Sequence, residues 1–160
     1  MTAVAVVVEL VRRVETVATC ESLTGGLVCA ELTTVAGSSA VVRGGLVTYS
    51  TDLKTSLAAV PAELMAQQGV VSCDVAKAMA QGARAACGAT WGIGTTGVAG
   101  PDPLDGRPPG TVCIAIAGPD GAVSVEELFA GDRAEVRRRT VAAALDLLAR
   151  CLGAARSRQA

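Results

Sequence analysis

At 160 residues, 51% of them hydrophobic but only 2% aromatic, the chain suits one domain (residues 1–160) whose core is built from Val, Ala and Leu. A net charge of −1 gives no basic footprint for nucleic acid. The absence of any histidine removes Ser-His-Asp and Cys-His catalysis together with histidine-ligated metal sites.

Val4, Val7, Val8, Val11 and Val14 recur at helical spacing, with Glu9, Arg12, Arg13 and Glu15 between them, which predicts a helix ending near Arg13. The apolar run Ala3 to Val8 is far too short for a bilayer and lacks a basic start and a cleavage site. Neither membrane span nor signal peptide is expected, and the chain reads as cytoplasmic. Thr16 to Thr19 is a short β-prone segment, Cys20 to Gly26 a hydroxyl-rich turn, and Leu27 to Val35 a helix closed by Gly37-Ser38-Ser39. That strand-turn-helix opens on amide N–H groups that suit an anion or a developing oxyanion.

Gly45 to Tyr49 reads as the second strand, and Ser50 or Thr51 can cap the helix that carries Lys54. Pro61 suits the start of a short helix over 62–67, and Ser72 the cap of a longer one with Val75, Ala76, Met79, Ala80, Ala83 and Cys87 on one face. Gly88 ends it. Ala89 to Thr95 is a third strand, followed by a Pro-rich loop from Thr96 to Gly110 whose length marks it as functional. Thr111 to Ala117 and Ala122 to Phe129 flank a Gly118-Pro119-Asp120-Gly121 hairpin turn. Asp132 and Glu135 form a capping pattern for the last helix, with Val136, Val141, Ala144, Leu145, Leu148 and Leu152 inward and Arg137 to Arg139 on a solvated face. The tail after Gly153 is expected to fray. These elements predict an α/β fold: a three-layer α/β/α sandwich on a mixed five-stranded sheet, the first strand central and one strand antiparallel.

Six cysteines without a CxxC, mostly in apolar segments, read as small buried hydrophobes in a reducing compartment. Gly92-Ile93-Gly94-Thr95-Thr96-Gly97 matches GxGxxG, but its first glycine lies inside a predicted strand and a Pro-rich loop follows instead of a helix, so it is not a dinucleotide site. Tyr49 and Lys54 miss the Tyr-x-x-x-Lys spacing by one, and no P-loop is present. What remains is hydroxyl-and-lysine chemistry. Ser22, Ser38 and Ser39 lie in turns, and Lys54 is one of two lysines. A lysine desolvated beside a serine loses its proton more readily and can accept the serine's. On residue types alone, turn serines are more often caps and helix-start lysines more often solvated.

Glu21-Ser22-Leu23-Thr24-Gly25-Gly26, Gly37-Ser38-Ser39, Val47-Thr48-Tyr49-Ser50 with Lys54, Gly97 to Asp102, Gly110-Thr111-Val112 and Gly131-Asp132-Arg133 occur in this order. Together they resemble the CinA C-terminal domain family, the nicotinamide-nucleotide amidases (NMN deamidases), in a stand-alone form without the longer proteins' N-terminal domain. The resemblance implies hydrolysis of nicotinamide mononucleotide to nicotinic acid mononucleotide and ammonia, by a serine–lysine mechanism with no metal and no cofactor. It implies Lys54 as general base and Tyr49 as its hydroxyl partner, with Ser39 favoured as nucleophile and Ser22 as the alternative. Thr24 and the Gly25 and Gly26 amides would lie near Ser22, and Gly37 and Ser38 near Ser39. Gly97, Ala99, Gly100, Pro101, Asp102 and Thr111 would line the nucleotide site. Leu23 stands where the family often has cysteine, and Pro103 where it often has glycine.

The alternative function is a non-catalytic nucleotide- or partner-binding protein of the same fold, tied to competence or DNA damage. An amidase or esterase of another small substrate is a third. The expected partner is a small nucleotide, with no nucleic acid and no membrane. The apolar composition suits a homo-oligomer.

Overall fold

The computed structural model describes residues 2–157. The chain runs α1 (Ala3–Arg13), β1 (Val17–Glu21), α2 (Leu27–Thr33), a 3-10 turn (Ser38–Ala40), β2 (Val42–Val47), α3 (Thr51–Ala58), α4 (Ala62–Gln68), α5 (Cys73–Cys87), β3 (Trp91–Gly97), β4 (Thr111–Gly118), β5 (Gly121–Leu128) and α6 (Arg133–Ser157). The sheet order is β2-β1-β3-β4-β5. β1 is parallel to both β2 and β3, while β4 is antiparallel to both of its neighbours. β4 is therefore the one reversed strand, as expected. β1 is interior, but the middle position belongs to β3.

Helices cover both faces, which is why β1 and β4 are buried along their whole length while the edge strands β2 and β5 are only partly covered. On one face Val6, Val7 and Leu10 of α1 join Val28 and Leu32 of α2 and Leu145, Leu148 and Leu152 of α6 over Ile93, Ile114 and Ile116. On the other, α5 lies directly on β3. A Cβ on Gly92 would sit 1.9 Å from the Ala80 carbonyl oxygen, and one on Gly94 2.2 Å from that of Ala76. Gly92 and Gly94 of the GxGxxG match thus serve close helix-on-strand packing, whereas Gly97 lies against Thr111 and Val112 of β4.

Several boundaries differ from the sequence reading. The valine pattern of α1 does not mark its inner face. Ala3, Val6, Val7 and Leu10 are buried, whereas Val4, Val8, Val11 and Val14 are exposed. With apolar residues on both sides, periodicity alone does not choose. β2 starts and ends earlier than expected, and β3 continues through Gly97 because its antiparallel pairing with β4 extends to Gly97–Val112. Asp132 caps α6, its Oδ1 accepting from the Glu135 amide at 2.9 Å, but the Glu135 carboxylate turns to Arg138 instead of completing the box. α6 continues through Gly153 to Ser157 rather than fraying there, and residues 158–160 of the expected tail lie outside the described residues. Among the described residues no helix is long and apolar enough to cross a membrane.

Candidate active site

β1, β2 and β3 deliver their C-terminal ends to the same edge of the sheet, the edge where ligands bind in open α/β sheets. β1 ends at Glu21, so Ser22 is the first residue off the strand. Its amide donates to the Thr95 carbonyl at 2.9 Å, which holds the turn to β3. β2 ends beside it, and after Tyr49 the chain enters α3, which brings Lys54 back beneath the turn.

Lys54 Nζ lies 3.1 Å from Ser22 Oγ and 2.8 Å from the carbonyl oxygen of Thr48. Only 2% of the lysine is exposed. No carboxylate of the described residues pairs with it. Burial therefore pushes its ammonium below the ordinary lysine range. The nearby Cys20 thiol supplies no counter-charge, because burial raises it to about 11. When Lys54 is neutral, Nζ can still donate to Thr48 and turn its lone pair to the Ser22 hydroxyl.

The anion expected at the start of α2 is the chain's own. Glu21 is fully buried, and its Oε2 accepts from the amides of Gly26 and Val28, both at 3.0 Å. Its Oε1 accepts from the Cys29 amide at 2.8 Å and from Thr19 Oγ1 at 3.0 Å. The Gly25 amide donates to the Ser22 carbonyl. The Gly25 and Gly26 amides are thus taken, against expectation. Those of Leu23 and Thr24 have no acceptor among the described residues. Thr24 itself is buried, its hydroxyl 2.8 Å from that of Thr95.

A cleft of about 320 Å³ opens over this pair. Its walls include Ser22, Lys54 and Tyr49 together with Gly97, Ala99, Gly100, Pro101 and Asp102, so this part of the expected site is brought together. Tyr49 does not partner Lys54. It is a rim residue whose hydroxyl accepts from Arg133 Nη2 at 2.6 Å, while Arg133 Nη1 donates to the Gly100 carbonyl at 3.0 Å.

Ser39, Ser38 and Gly37 are not brought there. They precede β2, and β2 begins opposite Val17 while the turn serine follows Glu21, which pairs with Val47. A strand length of roughly 15 Å separates the two ends of the sheet. Ser39 therefore does not reach Lys54, and Ser22 is the serine beside it. Thr111 is buried behind the loop, its carbonyl accepting from the Val98 amide, and does not line the cleft.

Two arginines escaped the sequence reading. Arg133 stands at the rim, and Arg137 is no solvated charge. Arg137 Nε donates to the Leu23 carbonyl at 2.9 Å and its Nη2 to that of Thr24 at 3.1 Å, so α6 braces the serine turn. The signal for Arg133 was its place in Gly131-Asp132-Arg133. Arg137 carried none, being one of three adjacent arginines.

The profile of the CinA C-terminal domain matches residues 1–152. A CinA-like protein of Frankia casuarinae is 49% identical over 143 residues, 89% of this chain and 33% of its own length. A CinA-like protein of Anaeromyxobacter dehalogenans is 49% identical over 144 residues, 89% of this chain and 35% of its own. The chain thus spans about a third of the length of these curated relatives. The crystal structure of the competence/damage inducible protein CihA from Agrobacterium tumefaciens superposes with a TM-score of 0.90 at 36% identity, covering 94% of this chain and 93% of that one. A CinA superfamily protein from Klebsiella pneumoniae gives 0.91 at 32% identity, covering 94% and 95%. Sequence and fold agree: the chain belongs to the CinA C-terminal domain family.

Proposed function

We propose that the chain hydrolyses the carboxamide of nicotinamide mononucleotide, giving nicotinic acid mononucleotide and ammonia, with Ser22 as nucleophile and Lys54 as general base. The observation that carries this reading is the 3.1 Å contact between Lys54 Nζ and Ser22 Oγ on the floor of an open cleft. A buried lysine without a counter-charge is a ready proton acceptor, and its partner is a hydroxyl at the end of a strand.

In the first step Ser22 Oγ attacks the carboxamide carbon as Lys54 takes its proton. The Leu23 amide, next to the nucleophile and without an acceptor among the described residues, receives the developing oxyanion. Such a donor is typically worth about 3 kcal/mol in the transition state. Protonated Lys54 then returns its proton to the leaving nitrogen, and the C–N bond breaks to release ammonia. Water attacks the acyl-serine as the now neutral Lys54 takes its proton; the bond from the acyl carbon to Ser22 Oγ breaks, Lys54 returns that proton to Oγ, and the acid product leaves as its carboxylate. Arg133, at the rim beside Tyr49, offers its guanidinium to the substrate phosphate.

The test is incubation with nicotinamide mononucleotide while ammonia and nicotinic acid mononucleotide are both followed. Equal molar release of the two is expected. Nucleotide binding without release would overturn the hydrolytic reading in favour of a binding protein. Release from other small amides but not from this nucleotide would overturn the substrate.

A further inference from the structure

Away from the cleft, three potential ligands from three different elements converge. Cys73 is the first residue of α5, Cys113 lies in β4 and Glu126 in β5. Their two Sγ atoms and a carboxylate oxygen all lie within 4.8 Å of one another. The sheet register makes this convergence a built feature. Cys113 is directly opposite Glu126 on one side and Thr96 on the other, so all three project from the same sheet face. That is the face on which α5 packs, and the first turn of α5 sets Cys73 over the row.

We propose that Cys73, Cys113 and Glu126 bind one thiophilic divalent cation of the zinc type, at a site separate from the Ser22–Lys54 cleft. Tetrahedral zinc with bonds of about 2.3 Å to sulfur and about 2.0 Å to oxygen sets a sulfur–oxygen pair roughly 3.5 Å and a sulfur–sulfur pair roughly 3.8 Å apart. The Cys113 thiol donates to Glu126 Oε2 at 3.8 Å, about 0.3 Å wider than that sulfur–oxygen spacing, so the cation would draw the two together as it replaces the thiol proton. The donor set of two thiolates and one carboxylate suits zinc rather than magnesium or calcium. Glu126 is also oriented from behind. Arg107 Nη1 lies 2.9 Å from its Oε1 and 3.0 Å from its Oε2. The arginine can keep Oε1 while Oε2 turns to the cation, as supporting hydrogen bonds commonly do for ligating carboxylates.

Charges also balance. Two thiolates, one carboxylate, a divalent cation and the Arg107 guanidinium sum to zero. Binding exchanges the two thiol protons for the cation. Nearly half of the Glu126 side chain is exposed, which leaves an entry path and room for water as the fourth ligand. Arg107 belongs to the loop after β3 and forms a two-residue bridge with Leu104, which lines the cleft. An occupied site would therefore fasten that loop to α5 and β4 through Glu126.

The test is titration of the reduced 160-residue chain with Co²⁺ and then Zn²⁺, following thiolate-to-cobalt charge-transfer absorption and the melting temperature. Wild type should take up one equivalent, show the thiolate band, lose it on Zn²⁺ addition and melt higher with metal. Cys73→Ser and Glu126→Gln remove ligands themselves, so each should weaken binding by at least the roughly 100-fold that loss of a supporting group can cost, whereas Cys151→Ser should leave it unchanged. The Glu126 side chain is exposed enough that Glu126→Gln keeps the test valid even if the Cys73 variant folds poorly. No thiolate band in wild type, wild-type affinity in Cys73→Ser and Glu126→Gln, or an equal loss in Cys151→Ser would overturn the site.

Discussion

Glu21 and Ser22 are neighbours in the chain and face opposite ways: Ser22 Oγ meets Lys54 Nζ at 3.1 Å, while the Glu21 carboxylate turns inward to the amides of Gly26, Val28 and Cys29. One residue of the turn presents the hydroxyl and the other holds the turn in shape. Glu21→Ala would leave these buried donors without an acceptor, at a cost of about 3 kcal/mol or more. Urea unfolding measures this. A loss under about 0.5 kcal/mol would mean that water replaces the carboxylate.

Lys54 yields a prediction in which stability and activity part. Burial holds its folded-state pKa below the ordinary 10.5. Between the folded and unfolded values the unfolded chain binds more protons, so this residue's contribution makes stability rise as pH climbs toward 10.5. Lys54→Met keeps the apolar stem and removes the titration. It should be at least as stable as wild type at neutral pH, lose that part of the gain at alkaline pH, and turn over about 10³-fold more slowly. Urea midpoints across that range, paired with ammonia assays, report both. A variant with undiminished turnover would exclude Lys54 as base.

Arg133 separates substrate binding from chemistry. Its guanidinium bonds Tyr49 and the Gly100 carbonyl at the rim, away from the Ser22 hydroxyl. Arg133→Ala should raise KM for nicotinamide mononucleotide about 100-fold and leave the slower hydrolysis of nicotinamide riboside, which lacks the phosphate, largely unaltered. Equal losses on both substrates would assign Arg133 to shaping the loop instead.

The alternation of apolar runs with Gly and Pro made most elements legible, and the hairpin at Gly118–Gly121 showed that one of its two strands is reversed; the pairing of β4 beside β3 makes it β4. The Ser22 turn and Lys54 were both visible as candidates. The choice of Ser22 over Ser39 as the partner of Lys54 was not, because it depends on which end of β2 each serine turn occupies. Ser39 looked equivalent to Ser22 in residue type, yet it precedes a strand whereas Ser22 follows one, and only strand order turns that into a separation. Glu21 was hidden for a related reason. Its ligands are backbone amides, which leave no trace in residue type. Arg137 was misread because nothing in three adjacent arginines tells which one faces the Leu23 and Thr24 carbonyls. The cysteines read as packing residues, and the convergence of Cys73 and Cys113 with Glu126 emerges only from the register of β4 with β5 and the placement of α5.

The most direct test of the account is ammonia release from nicotinamide mononucleotide by wild type, Ser22→Ala and Ser39→Ala, each confirmed folded by its melting curve. The predicted result is full activity in wild type and Ser39→Ala, and loss of about 10³-fold or more in Ser22→Ala. Activity retained by Ser22→Ala, or lost only in Ser39→Ala, would contradict the Ser22–Lys54 mechanism.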